Sequence, residues 1–180
     1  MKKLQLIVIA IALLIGSQAR ASITFELTYN DGVNVANGQI NADYVSPGVY
    51  QATSGFLDIT AGALQGNYPL LPNPNAPSAA YSPSGVFIYD DVLYYPGDPY
   101  LNSNGLLLFA AGTREINLWG NGPGNYSLYG YDYNQGWILQ YTGPADTGIT
   151  PVPEPATTAA GAALLLAFGG STLRYLRKKA

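Results

Sequence analysis

The chain has 180 residues, enough for one ordinary domain with short appendages. It contains no cysteine and no histidine, which removes disulfide frameworks, thiolate chemistry and the commonest general base and metal ligand. Its net charge of −3 conceals a division: Lys2, Lys3 and Arg20 lie near the start, Arg174, Arg177, Lys178 and Lys179 near the end, and residues 22–150 carry ten carboxylates against Arg114 alone. Phosphate is bound through Lys and Arg, so that middle segment excludes nucleic acid as a partner.

Residues 1–21 read as a signal peptide. Lys2 and Lys3 precede an apolar run from Leu4 to Ile15, and Ala19-Arg20-Ala21 supplies the small-x-small site for cleavage after Ala21. As a helix that run rises only about 18 Å, short of a bilayer core of roughly 30 Å, so a removed signal helix is expected rather than an anchor.

Residues 22–150 read as strands. In SITFELTYN, Ile23, Phe25, Leu27 and Tyr29 alternate with polar residues, the period-2 signature of a half-buried strand. Further runs are predicted over 39–45, 49–54, 56–60, 85–89, 92–95, 106–111, 115–119, 126–133 and 136–142. Turn signals such as Ser46-Pro47-Gly48, Ala61-Gly62 and Asn121-Gly122-Pro123-Gly124 punctuate them. Short strands between frequent turns, with no long stretch at helical spacing, predict an all-β fold, an antiparallel β-sandwich or jelly-roll-like ectodomain. The proline-rich stretch 69–83 interrupts the pattern and reads as a surface excursion.

Several residues are candidates for chemistry. Asp90, Asp91 and Asp98 cluster around a turn, where carboxylates solvate the loop, supply oxygen to calcium or serve a hydrolase as an acid–base pair. Adjacent residues on a strand face opposite ways, which argues against a catalytic pair. Asn30, Asp31 and Asn34 in NDGVN read first as a hairpin turn and lack the full calcium-loop pattern. Of fifteen tyrosines, Tyr129, Tyr131 and Tyr133 share one face if their strand is regular, a row suited to stacking on sugar rings. Trp119 and Trp137 are expected in the core, and Arg114 is expected to pair with a carboxylate on a neighbouring strand.

The end of the chain, 151–180, is organised differently. Pro151, Pro153 and Pro155 keep the chain extended around Glu154. Residues 156–173 are uncharged and as a helix span about 27 Å, just enough to cross a membrane. The basic tail 174–180, with Arg174, Arg177, Lys178 and Lys179, orients that span with its end in the cytoplasm. The order Val152-Pro153-Glu154-Pro155-Ala156-Thr157, an apolar span and then Arg/Lys resembles the PEP-CTERM sorting signal of Gram-negative bacteria. The stretch from Gly85 to Phe109, followed by REINLWGNG, resembles more weakly an ectodomain recurrent among such proteins. The resemblance implies processing by an exosortase, export across the inner membrane, transient anchoring by a C-terminal transmembrane helix, and final residence on the outer surface or in an exopolysaccharide matrix or biofilm.

These features together lead to the expectation of a secreted, exosortase-sorted envelope or matrix protein with a structural or adhesive role and no cofactor unless calcium. A carbohydrate-binding module for the cell's own exopolysaccharide is the alternative. An enzyme ranks last, because without His or Cys only carboxylate or serine chemistry remains.

Overall fold

The computed structural model describes residues 22–110 and 113–153. The signal helix with its Ala19 and Ala21 site, Glu154 to Thr157 of the sorting motif, the apolar span and the basic tail lie outside the described residues. No helix among the described residues is long and apolar enough to cross a membrane.

Twelve strands form the fold of the described residues. They are β1 (Ser22–Asn30), β2 (Val35–Ser46), β3 (Val49–Ala61), β4 (Gly66–Pro69), β5 (Ala80–Tyr81), β6 (Ile88–Tyr89), β7 (Val92–Tyr94), β8 (Leu106–Ala110), β9 (Arg114–Gly122), β10 (Asn125–Asp132), β11 (Gly136–Pro144) and β12 (Asp146–Pro151). One sheet has the order β12-β1-β2-β3-β4, with β7 also paired to β3; a second runs β11-β10-β9-β8; β5 and β6 form a hairpin. Every pairing between these strands is antiparallel. β1 to β4 and β8 to β11 are each paired in chain order, while β7 returns to pair with β3 and β12 crosses back from the second sheet to pair with β1.

The two sheets share one core. Phe25 and Leu27 of β1, Ile40 of β2 and Leu57 of β3 join Leu106 and Leu108 of β8, Ile116 and Leu118 of β9 and Leu128 of β10 in a single buried cluster. The alternation visible in SITFELTYN is the cause: Phe25, Leu27 and Tyr29 turn inward, while Glu26 and Thr28 turn out. Each apolar side chain so removed from water contributes roughly 1.5–3 kcal/mol. Every strand of 22–153 finds its partner within 22–153.

Three elements depart from the sequence reading. The expected strands 49–54 and 56–60 are one strand, β3, in which Gly55 continues the chain at a φ of 151° that other residues avoid. The strand β12 was not expected; it pairs with β1 from Asn30↔Asp146 to Phe25↔Pro151, and the Val152 amide adds a bond to the Thr24 carbonyl. The stretch from 69 to 83 is a surface excursion only in its middle, where residues 74–79 are exposed. On either side it is folded onto the second sheet, with Leu70 bridged to Leu108, the Leu71 amide donating to the Leu107 carbonyl, and the β5–β6 hairpin closing over Leu107 in a second small core with Ala80, Phe87 and Tyr89.

Candidate functional site: an aromatic ledge on the second sheet

Tyr129 and Tyr131 lie on the outer face of β10, away from the shared core, beside Asn117 and Glu115 of β9. A bulge in β11 brings Trp137 to them. Gly130 faces Leu139, yet Tyr131 faces Trp137, so Ile138 is the extra residue. Without it Trp137 would stand opposite Asp132, on the inner face. The expected core position of Trp137 is therefore corrected: it is 48% exposed. Trp119 is also not in the main core; half-buried, it packs on Tyr129 with ring centres 4.7 Å apart.

The rings form one continuous surface. Trp137 meets Phe87, Tyr129 and Tyr131 edge-to-face at 5.6, 5.8 and 5.6 Å, and Tyr131 meets Tyr133 at 6.3 Å. A polar rim follows its border. Trp119 Nε1 donates to Asn121 Oδ1, Asn121 Nδ2 to Ser127 Oγ, and the hydroxyls of Ser127 and Tyr129 both share hydrogen bonds with Thr142 Oγ1. Tyr129, Tyr131 and Tyr133 thus belong to one surface, whose most exposed ring is Trp137.

Beneath the ledge lies Glu115, wholly buried. It accepts hydrogen bonds from the Ser84 amide and hydroxyl and from the Tyr133 hydroxyl. Burial and this contact with Glu115 push the Tyr133 hydroxyl up to about 12. Glu115 is thereby a pin, tying the Ser84 turn to the sheet so that Phe87 reaches Trp137.

The three aspartates are held apart in function by their partners. Asp90 accepts from the carboxamides of Asn102 and Asn104, and Asp98, exposed, accepts from the Gly124 amide and the Tyr126 hydroxyl. Asp91 is fully buried, accepts from the Leu107 amide and leaves Oδ2 without a hydrogen-bond partner among the described residues. Its backbone φ of 56° is the one left-handed value among the described non-glycine residues. No group of three or more His, Cys, Asp or Glu among the described residues is disposed to hold a metal ion. Asp31 serves the β1–β2 turn. Burial acts to raise its carboxyl, but the amides of Asn34 and Val33, the Asn34 carboxamide and the Tyr29 hydroxyl hold it below its usual value.

Arg114, the single basic residue of 22–153, bonds through Nε to Asp132 on the neighbouring β10 at 3.0 Å. This is the cross-strand partner expected from the sequence. The Asp132 carboxyl is held below its usual range by the Asn134 amide and the Arg114 guanidinium.

The chain matches no family model, no curated protein and no solved structure.

Proposed function

We propose that the chain is an exported, exosortase-sorted envelope or matrix protein whose ectodomain, a β-sandwich, has a structural or adhesive role. The observation that carries the sorting reading is the joint occurrence, in order, of Val152-Pro153-Glu154-Pro155, an uncharged span and a basic tail. The last sheet hydrogen bond, from the Val152 amide, supports it: Pro153, the first proline of the motif, follows that bond directly and is exposed. Replacing Pro153, Glu154 and Pro155 by alanine leaves export intact and blocks processing, so that the uncut form accumulates in membranes. Normal mobility and release of that variant on immunoblots of fractionated cells refutes the sorting reading.

A non-enzymatic role is supported by the absence of His and Cys and by the closure of the two fully buried carboxylates, Asp91 and Glu115, away from solvent. The half-exposed Trp137 favours a second, more specific reading, adhesion through carbohydrate. Aromatic faces with a hydroxyl-bearing rim suit sugar rings, which present apolar C–H faces and polar edges. Trp137→Ala is expected to weaken binding to polysaccharide extracted from the producing cells about tenfold, equivalent to roughly 1.4 kcal/mol, while leaving the melting temperature near that of the native chain. Unchanged retention on that polysaccharide removes the ledge from the account.

A further inference from the structure

The outer face of the other sheet carries a second surface of matching chemistry. The antiparallel register sets Glu26, Gln39 and Phe56 side by side across β1, β2 and β3, and Thr28, Asn37 and Asp58 in the next row. The two rows line one shallow depression of about 290 Å³. They lie about 7 Å apart along the strands, and neighbouring strands about 4.8 Å apart, so six side chains fall within a patch roughly 10 Å wide.

The residue types select the occupant. Phe56 is 37% exposed in the middle of a polar face, an apolar ring without a cover. Gln39 and Asn37 each offer two donors and an acceptor, and Glu26 and Asp58 flank them as acceptors. Among the described residues Thr28, at 3.5 Å from the Gly148 carbonyl, is the one member of the six with an internal side-chain hydrogen bond. Unspent donors and acceptors around one exposed ring fit a molecule with an apolar ring face and hydroxyls at its edge. Two carboxylates and no basic side chain in the depression repel an anionic ligand. Arg114 lies on the other sheet and is engaged by Asp132.

We propose that this strip binds neutral glycan chains, and that the domain therefore holds polysaccharide on two opposite outer faces and cross-links it. The proposal rests on the adhesive reading above and deepens it, because a protein with one sugar face coats a polymer whereas one with two joins polymers.

The test is affinity electrophoresis of the full chain in detergent through gels containing dextran, laminarin, galactomannan or, as the anionic comparator, alginate. The native chain is expected to be retarded by at least one neutral polymer and to raise light scattering when mixed with it. Phe56→Ala, and separately the pair Asn37→Ala with Gln39→Ala, should weaken the retardation about tenfold and abolish the scattering increase. The paired variant alters two exposed side chains, so it remains informative if Phe56→Ala fails to fold. Trp137→Ala, run in parallel, should still be retarded through the strip but no longer scatter. Strip variants that migrate and scatter like the native chain, while Trp137→Ala loses both, overturn the strip and leave the ledge standing. Retardation by alginate alone overturns the choice of a neutral ligand, and absence of retardation in every gel overturns both faces.

Discussion

Between about pH 4 and pH 8 the segment 22–153 is expected to lose stability steadily, by at most about 6 kcal/mol, and Asp91→Asn is expected to remove most of that loss. Burial raises the Asp91 carboxyl from 3.8 to about 8; the Leu107 amide offsets part of this, and the neighbouring Asp90 charge adds to it. In that interval the folded chain keeps a proton that the unfolded chain has released. Stability from this group is therefore complete below about pH 4, drains away as the pH rises through 8, and is constant above. Asp31 and Asp132 act the other way, since their carboxyls are held low and their contribution disappears in acid. The optimum should accordingly lie near pH 4–5. Asparagine resembles the neutral carboxyl in shape and tolerates a φ near +56° as well as aspartate does. Urea midpoints of the native and Asp91→Asn segments at pH 5, 6.5, 8 and 9.5 measure the effect. The variant should show a nearly flat profile and exceed the native segment at pH 8; parallel slopes would refute the assignment.

The second large effect is expected at Gly105, whose carbonyl accepts both the Asp90 and the Asp91 amides. Its φ is +69°, and a Cβ there would stand 2.1 Å from the Leu118 carbonyl oxygen and 2.7 Å from the Trp119 Cα. Both neighbours are backbone atoms of β9, which move only if the sheet moves. Gly105→Ala therefore combines a left-handed penalty of about 1–2 kcal/mol with an overpacking cost of about 1–3 kcal/mol. A fall in melting temperature on the order of 10 °C should follow. Gly124 provides the control, because its φ of +66° is similar but nothing lies within 4 Å of its Cβ position. Gly124→Ala should lose less than half as much. Equal losses at the two sites would mean that crowding by β9 plays no part.

What the sequence disclosed depended on how local the cause was. The alternation of β1 needs only the residues of β1, and Phe25 and Leu27 were legible as core for that reason. The edge strand β12, DTGITP, buries one strongly apolar side chain, Ile149, and has no alternation to read; it is a strand because β1 supplies its hydrogen-bond partners. Trp137 was misplaced because one extra residue, Ile138, moves it to the other face, and a bulge arises from pairing between strands. The tyrosine row could be read from its spacing, whereas Phe87 joins it only because the proline-bearing segment folds back under the hold of Glu115. The glycan strip shows the same limit. Glu26 and Thr28 are outward by period, but their alignment with Gln39, Phe56, Asn37 and Asp58 is a property of register.

The pairing of β1 with β12 also has a mechanical meaning. Because the two strands are antiparallel neighbours, the chain enters the fold at Ser22 and leaves it at Pro153 at the same end of one sheet. A tension that draws those two ends apart parts the strands from that end, rung by rung, and meets little resistance at any moment. A tension applied beyond Pro153 along the axis of β12, with the opposite sheet held fast, is borne by all the rungs from Phe25↔Pro151 to Asn30↔Asp146 together. A domain fastened by its C-terminal strand and loaded through its faces thus meets pulling in its stronger direction, as a shear clamp.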